Sequence, residues 1–143
     1  MPLTDEQKAT WLADVPLFAG ISQESMSRLA AVAGEQEFAN GQFIVRQGQV
    51  GSGLYVVIGG SVNVIKGADE LVATLKPGEF FGELSVIDQQ PRNASVQAAE
   101  ATTCLALASW DLLSLLEQDP ALSLNLIKGL VARIRATGEQ HRH

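Results

Sequence analysis

The chain is poor in the residues that build covalent and metal chemistry. Its 143 residues include one cysteine, Cys104, and two histidines, His141 and His143. A lone cysteine forms no intrachain disulfide, and such usage fits a reducing, cytoplasmic compartment. The two histidines sit at a chain end with no partners nearby in sequence and are read as a tail. No apolar stretch of the middle carries a histidine, which argues against a Ser-His or Cys-His nucleophile and against a histidine-bound metal inside a barrel. An enzyme is therefore not expected. Positive charge is also scarce: 10 Lys and Arg face 16 Asp and Glu, a net charge of -6. Sequence-independent binding to DNA or RNA needs a basic face and is excluded as the main activity. No apolar run approaches the ~20 residues that span a bilayer, and the opening "MPLTDEQKATW" lacks the basic and apolar regions of a signal peptide. What is abundant is apolar surface, 46% of residues. That suffices for one self-contained core, and a single domain over 1–143 is expected.

Three regions follow one another. Thr4 and Gln7 have capping-box spacing and start a helix ending near Asp14. Pro16 and Gly20 break it in "VPLFAG". Ser22 caps a second helix, with Met26, Leu29, Ala30 and Ala33 at three-and-four spacing and Gly34 as its stop. From 35 to 108 glycines cut the chain into short apolar pieces. Strands are expected at Glu35–Phe38, Phe43–Arg46, Leu54–Ile58, Ser61–Ile65, Leu71–Leu75, Ser95–Ala99 and Thr103–Ala108, with Phe80–Phe81 resuming the sheet. Val62 and Val64 alternate with Asn63, as in a half-buried strand. So many short strands imply a barrel or sandwich. Helices return over 109–138: Ser109 caps Trp110–Glu117, and Asp119-Pro120 opens a last helix to about Thr137, closed by Gly138. Apolar residues of that helix cover an arc of about 200°, wider than one packed face needs. The surplus is read as cover for a ligand, contact with a second subunit, or deep burial. Trp11 and Trp110 are read as helix packing, and Cys104 as an inert core thiol.

The stretch "GEFFGELSVIDQQPRNASV", residues 78–96, does not read as scaffold alone. Lys76-Pro77-Gly78 makes a turn. Gly82 permits close backbone approach, and "ELSVI" has the length of one helical turn whose free amides form an anion site. Arg92 offers a planar pair of donors suited to phosphate. Glu83 would repel a polyphosphate, but it tolerates a singly charged phosphodiester and can accept from a sugar hydroxyl. One arginine and one glutamate thus fit a nucleotide with one negative charge and a free 2′-hydroxyl, conditions that a 3′,5′-cyclic nucleotide meets.

"FGELSVIDQQPRNASV" resembles the phosphate-binding cassette of the cyclic nucleotide-binding domain family: Phe-Gly-Glu-Leu, a small residue, two apolar residues, a turn, then Pro-Arg, a small residue, Ala and Ser or Thr. "NGQFIVRQGQVGSGLYVVIGGSVNV" is similar to the glycine-marked strands of the same family, and the likeness spans nearly the whole chain. It implies a mainly β fold with flanking helices: an eight-stranded β-roll of jelly-roll type, an N-terminal helical segment and C-terminal lid helices. It also implies that Arg92 pairs with the cyclic phosphate and Glu83 with the ribose 2′-hydroxyl. Amides of Gly82, Leu84, Ser85 and Asn93 would complete the cradle, and Val64 would lie against the base. Asn93 departs from the usual Ala, Ser or Thr. It is read as a phosphate contact, as a contact to a purine 2-position group, or as a turn residue, so cAMP is favoured with cGMP still open.

The resemblance implies a cyclic nucleotide as ligand, no cofactor, and a protein partner or second copy that reads the C-terminal helices. Two other readings stand beside this sensor: the sensor portion of a cyclic-nucleotide-responsive transcription factor without its DNA-binding part, and a ligand-free dimerising scaffold. The sequon Asn93-Ala94-Ser95 has no use in a cytoplasmic chain.

Overall fold

A computed structural model of the chain describes residues 2–50, 53–82 and 92–140. Two helices, α1 (Asp5–Ala13) and α2 (Gln23–Val32), flank a 3-10 turn at Pro16–Phe18. Eight strands follow: β1 (Gly34–Phe38), β2 (Phe43–Val45), β3 (Gly53–Gly59), β4 (Val62–Lys66), β5 (Glu70–Leu75), β6 (Phe80–Phe81), β7 (Ser95–Ala98) and β8 (Thr102–Ala108). Two helices close the described chain, α3 (Ser109–Gln118) and α4 (Pro120–Gln140).

The strands form two four-stranded sheets, ordered β1-β8-β3-β6 and β2-β7-β4-β5, with every pair antiparallel. The chain crosses between sheets repeatedly, which is the jelly-roll solution to protecting strand edges. β3 explains why the roll needs its helices. Leu54 and Val56 point to one side and pack with Leu105 and Leu107 of β8 against Leu12, Phe18, Leu29, Leu112 and Leu122 of the helical segments. Val57 points to the other side and joins Val62, Phe81, Val96 and Cys104 between the sheets. A strand buried on both faces reads as a continuous apolar run, and "LYVVI" is one. The expected alternation in β4 is present: Val62 is buried and Val64 packs inward, while Asn63 Oδ1 accepts from Thr74 Oγ1 at 2.9 Å across the strand pair.

Local signals set most element ends. Thr4 Oγ1 accepts from the Gln7 amide at 3.2 Å and Gln7 Oε1 from the Thr4 amide at 2.9 Å, the reciprocal capping box. Ser22 Oγ accepts from the Ser25 amide at 3.0 Å. Four expectations need correction. α2 ends with Ala33 in extended conformation, and Gly34 is the first residue of β1, so no left-handed glycine stops that helix. Ser109 does not cap α3: Ala108 holds the N-cap position, and the Ser109 hydroxyl is buried inside the first turn. α4 continues through Gly138, since a helical glycine costs only about 1 kcal/mol. Trp110 is 69% exposed rather than packed, whereas Trp11 does lie against the helical core. Cys104 is fully buried, and desolvation pushes its thiol up to about 12, so it stays a neutral, unreactive thiol at ordinary pH.

Asp119 joins the two ends of the fold. Its Oδ1 accepts from the Ala121 amide at 3.0 Å, capping α4. Its Oδ2 accepts from the Ser25 hydroxyl at 2.7 Å and from the Ser22 amide at 3.2 Å, at the start of α2. The Ser25 bond first, then the backbone amides, hold the carboxyl below its ordinary value of 3.8, against an opposing contribution from desolvation. A depressed carboxyl stabilises the fold above the unfolded-state value and loses that contribution as pH falls through the folded-state value. Asp119→Ala should therefore lower the melting temperature at pH 7, with the gap to wild type closing below pH 3.8. A gap that stays constant on acidification in thermal melts would refute the ionised cap.

Candidate functional site

The site forms where β6 ends beside the start of β3. Pairing of Phe81 with Tyr55 sets the register, and their rings stack at 5.2 Å between centroids and 14° between planes. Gly82 is thereby brought against the Gly53 backbone, with φ of 97°. A Cβ at Gly82 would lie 2.6 Å from Arg92 Nη1 and 2.7 Å from the Gly53 carbonyl oxygen. Only glycine fits there, because its neighbours on two sides are a guanidinium and a fixed backbone carbonyl.

Arg92 is 7% exposed, and its Nη2 donates to the Gly53 carbonyl at 2.9 Å. Its main chain is held equally firmly. The Arg92 amide donates to Gln49 O at 2.8 Å, and the Gly48 amide donates to Arg92 O at 2.9 Å. The turn between β2 and β3 thus clamps the backbone that carries the guanidinium. The side chain faces a cavity of about 160 Å³, whose walls include Arg46, Gln49, Val50 and Tyr55. Arg46 Cζ lies 4.2 Å from the centroid of the Phe43 ring, a cation–π contact that holds a second guanidinium beside the same cavity. A buried guanidinium with rigid carbonyl and glycine neighbours is a preorganised partner for one anionic group.

Of the residues singled out in the sequence, Gly82 and Arg92 are brought together. Asn93 is exposed next to Arg92, before buried Ala94. Val64 is half-buried, packs on the core between the sheets, and is not in the wall of the Arg92 cavity. Glu83, Leu84 and Ser85, with the expected helical turn "ELSVI", lie outside the described residues. Sequence reasoning missed Arg46, Gln49 and Tyr55. Arg46 left one trace, a charge closing the apolar run "FIV", and Gln49 left none.

A second cavity, of about 350 Å³ and mainly apolar, separates Pro16, Leu17 and Phe80 from Leu126 and Leu130 of α4. Asn125 Nδ2 spans that seam by donating to Leu17 O at 3.1 Å. The wide apolar arc of α4 is divided. Leu122 is buried and Leu126 and Leu130 half-buried, while Leu124, Ile127, Val131 and Ile134 are exposed by 42–71%. The helix is therefore not deeply buried, and among the described residues part of its apolar surface is uncovered.

An antiparallel roll with an arginine sunk at a glycine-marked strand end defines the class of protein, a β-roll domain with a small cavity beside a buried guanidinium. A sequence model described as the cyclic nucleotide-binding domain matches residues 35–119. The chain is 36% identical over 124 residues to the cyclic AMP receptor protein of Thermus thermophilus, covering 84% of this chain and 57% of that one. It is similar to the N-terminal domain of a transcriptional regulator from Streptomyces coelicolor, with a TM-score of 0.75 and 31% identity over 93% of this chain and 96% of that one. The regulatory domain of Toxoplasma gondii PKA, solved with cAMP, gives a TM-score of 0.76 at 26% identity, covering 87% of this chain and 49% of that one. The chain belongs to the cyclic nucleotide-binding domain family, as its cassette implied, and the mainly β roll with flanking helices is the fold expected.

Proposed function

We propose that the chain binds a 3′,5′-cyclic nucleotide, with cAMP preferred over cGMP, and acts without catalysis as a ligand-responsive regulatory module in the cytoplasm. The observation that carries this reading is Arg92: a buried guanidinium, backed by Gly82 and the Gly53 carbonyl, facing a cavity in a chain of net charge -6. A guanidinium held in one plane at the edge of a cavity offers the paired donors that suit a phosphate. In this reading Arg92 pairs with the cyclic phosphate. Glu83 accepts from the ribose 2′-hydroxyl, and amides of Gly82, Leu84, Ser85 and Asn93 close the cradle. Val64 and the neighbouring inward face of the roll meet the base. Relatives named for cyclic AMP or solved with it support cAMP as first choice. Among the described residues no helix is long and apolar enough to cross a membrane. Isothermal titration of the purified protein with cAMP and cGMP tests the reading. Saturable binding of cAMP is expected, and no heat with either nucleotide in folded, ligand-stripped protein would sink it.

Output is assigned to α4. Leu124, Ile127, Val131 and Ile134 recur at three-four-three spacing, as in the seam of a two-stranded coiled coil. We assign that stripe to contact with a second copy of the chain. Sedimentation should give a dimer for the wild type and a monomer for Ile127→Glu. A wild type that stays monomeric at every concentration tested would leave the stripe to another protein.

A further inference from the structure

We propose that Gln47 is a positioning residue for Arg92, linking the β4–β5 turn to the backbone clamp on the arginine. This rests on the assignment of Arg92 as the phosphate partner. Gln47 immediately precedes Gly48-Gln49, the two residues bonded to the Arg92 main chain. It is itself anchored in two directions. Its amide donates to Ser95 Oγ at 2.8 Å, at the start of β7 and three residues beyond Arg92. Its Oε1 accepts from the Gly67 amide at 2.8 Å, in the turn that joins β4 to β5. Gln47 does not line the Arg92 cavity, so its influence on ligand runs through the clamp.

The chemistry separates this role from simple stability. Gly67 and Gln47 are both exposed, so water can take up the Gly67 amide when the side-chain acceptor is removed. Global stability then changes little. The turn of residues 46–49 loses its lateral tie, and the Arg92 main chain loses a fixed reference, because both of its clamp bonds come from that turn. The consequence falls on how the guanidinium is presented, since its fit to a phosphate depends on two parallel donors being held in one plane. The link also gives the β4–β5 turn a route to the site: whatever displaces that turn pulls on the residue next to the clamp.

The test compares Gln47→Met, which removes the acceptor, with Gln47→Glu, which keeps an acceptor oxygen. Titrations with cAMP are run in roughly 0.5 M salt, which screens the added carboxylate. Gln47→Met should weaken binding by about 2- to 10-fold, the range of one net hydrogen bond, and Gln47→Glu should restore it. A second readout needs no ligand. The Arg92 side-chain Nε–H resonance of the free protein should shift in Gln47→Met and return in Gln47→Glu, with both melting temperatures near wild type. Equal weakening by the two variants, an unmoved Arg92 resonance, or a large fall in melting temperature for Gln47→Met would overturn the positioning role. If wild type fails to bind cAMP while the resonance moves as described, the ligand assignment falls and the positioning of Arg92 stands.

Discussion

Arg92→Ala should weaken cAMP binding by roughly 30-fold to several thousand-fold, which corresponds to about 2–5 kcal/mol for truncating one partner of a buried charge pair. The size of the effect follows from burial. At 7% exposure the guanidinium is largely removed from water, so the anion it meets is also desolvated and has few substitutes for it. Arg92→Lys makes the expectation sharper. It keeps the charge but loses the planar fork, and lysine cannot donate to the Gly53 carbonyl and present two parallel donors to a phosphate in the same geometry. Its affinity should fall between wild type and Arg92→Ala. Calorimetric titration of all three proteins provides the ranking. Binding by Arg92→Ala within about threefold of wild type, far short of the loss expected for a buried charge partner, would remove Arg92 from the site.

The second large effect belongs to Gly82. An alanine there meets two penalties. The first is the backbone: φ of 97° is a conformation that side-chain-bearing residues avoid, and holding one there costs about 1–3 kcal/mol. The second is collision, since the new Cβ would stand 2.7 Å from the Gly53 carbonyl and 2.6 Å from Arg92 Nη1. The carbonyl belongs to a paired strand and cannot retreat, so the guanidinium is the group that moves. Gly78 is a built-in control. Its φ is 95°, almost the same strain, but nothing lies within 4 Å of the position a Cβ would take. Gly78→Ala should therefore lose stability and keep cAMP affinity, while Gly82→Ala should lose both. If thermal melts and titrations give the two variants the same profile, the close packing of Gly82 against Arg92 has no bearing on ligand.

Much of this arrangement can be read in the chain before folding, for reasons that are local. Thr4 with Gln7, and Ser22 with Ser25, satisfy amides within one helical turn, so their spacing alone announces them. Turn glycines such as Gly78 and Gly82 mark positions that need positive φ, which is why the strand pieces between such residues fall near their observed limits. Ser109 and Gly34 misled because a capping residue and a stop residue work only in suitable backbone conformations. The chain enters α3 at Ala108, and it leaves α2 already extended for β1. The site was legible in part. Arg92 and Gly82 stand out by residue type and spacing, but their meeting with Gly53, and the role of Gln49 and Tyr55, depend on strands far apart in sequence being paired in one register. No local signal encodes that pairing. The same holds for Gln47, whose partners at 67 and 95 are chosen by the topology of the roll.

In the proposed reading, the burial of Arg92 also bears on which anions reach it. From outside, the chain presents an excess of carboxylates, and within a Debye length of about 8–10 Å of its surface an approaching anion meets a net repulsion that grows with its own charge number. The compensating attraction operates only within the cavity. Nucleoside triphosphates and nucleic acids, with several negative charges each, are disfavoured at encounter, before any atom of the site is touched. A monoanion pays the least to arrive. Selection by charge number thus takes place on the surface, and selection by shape is left to the few residues around the guanidinium.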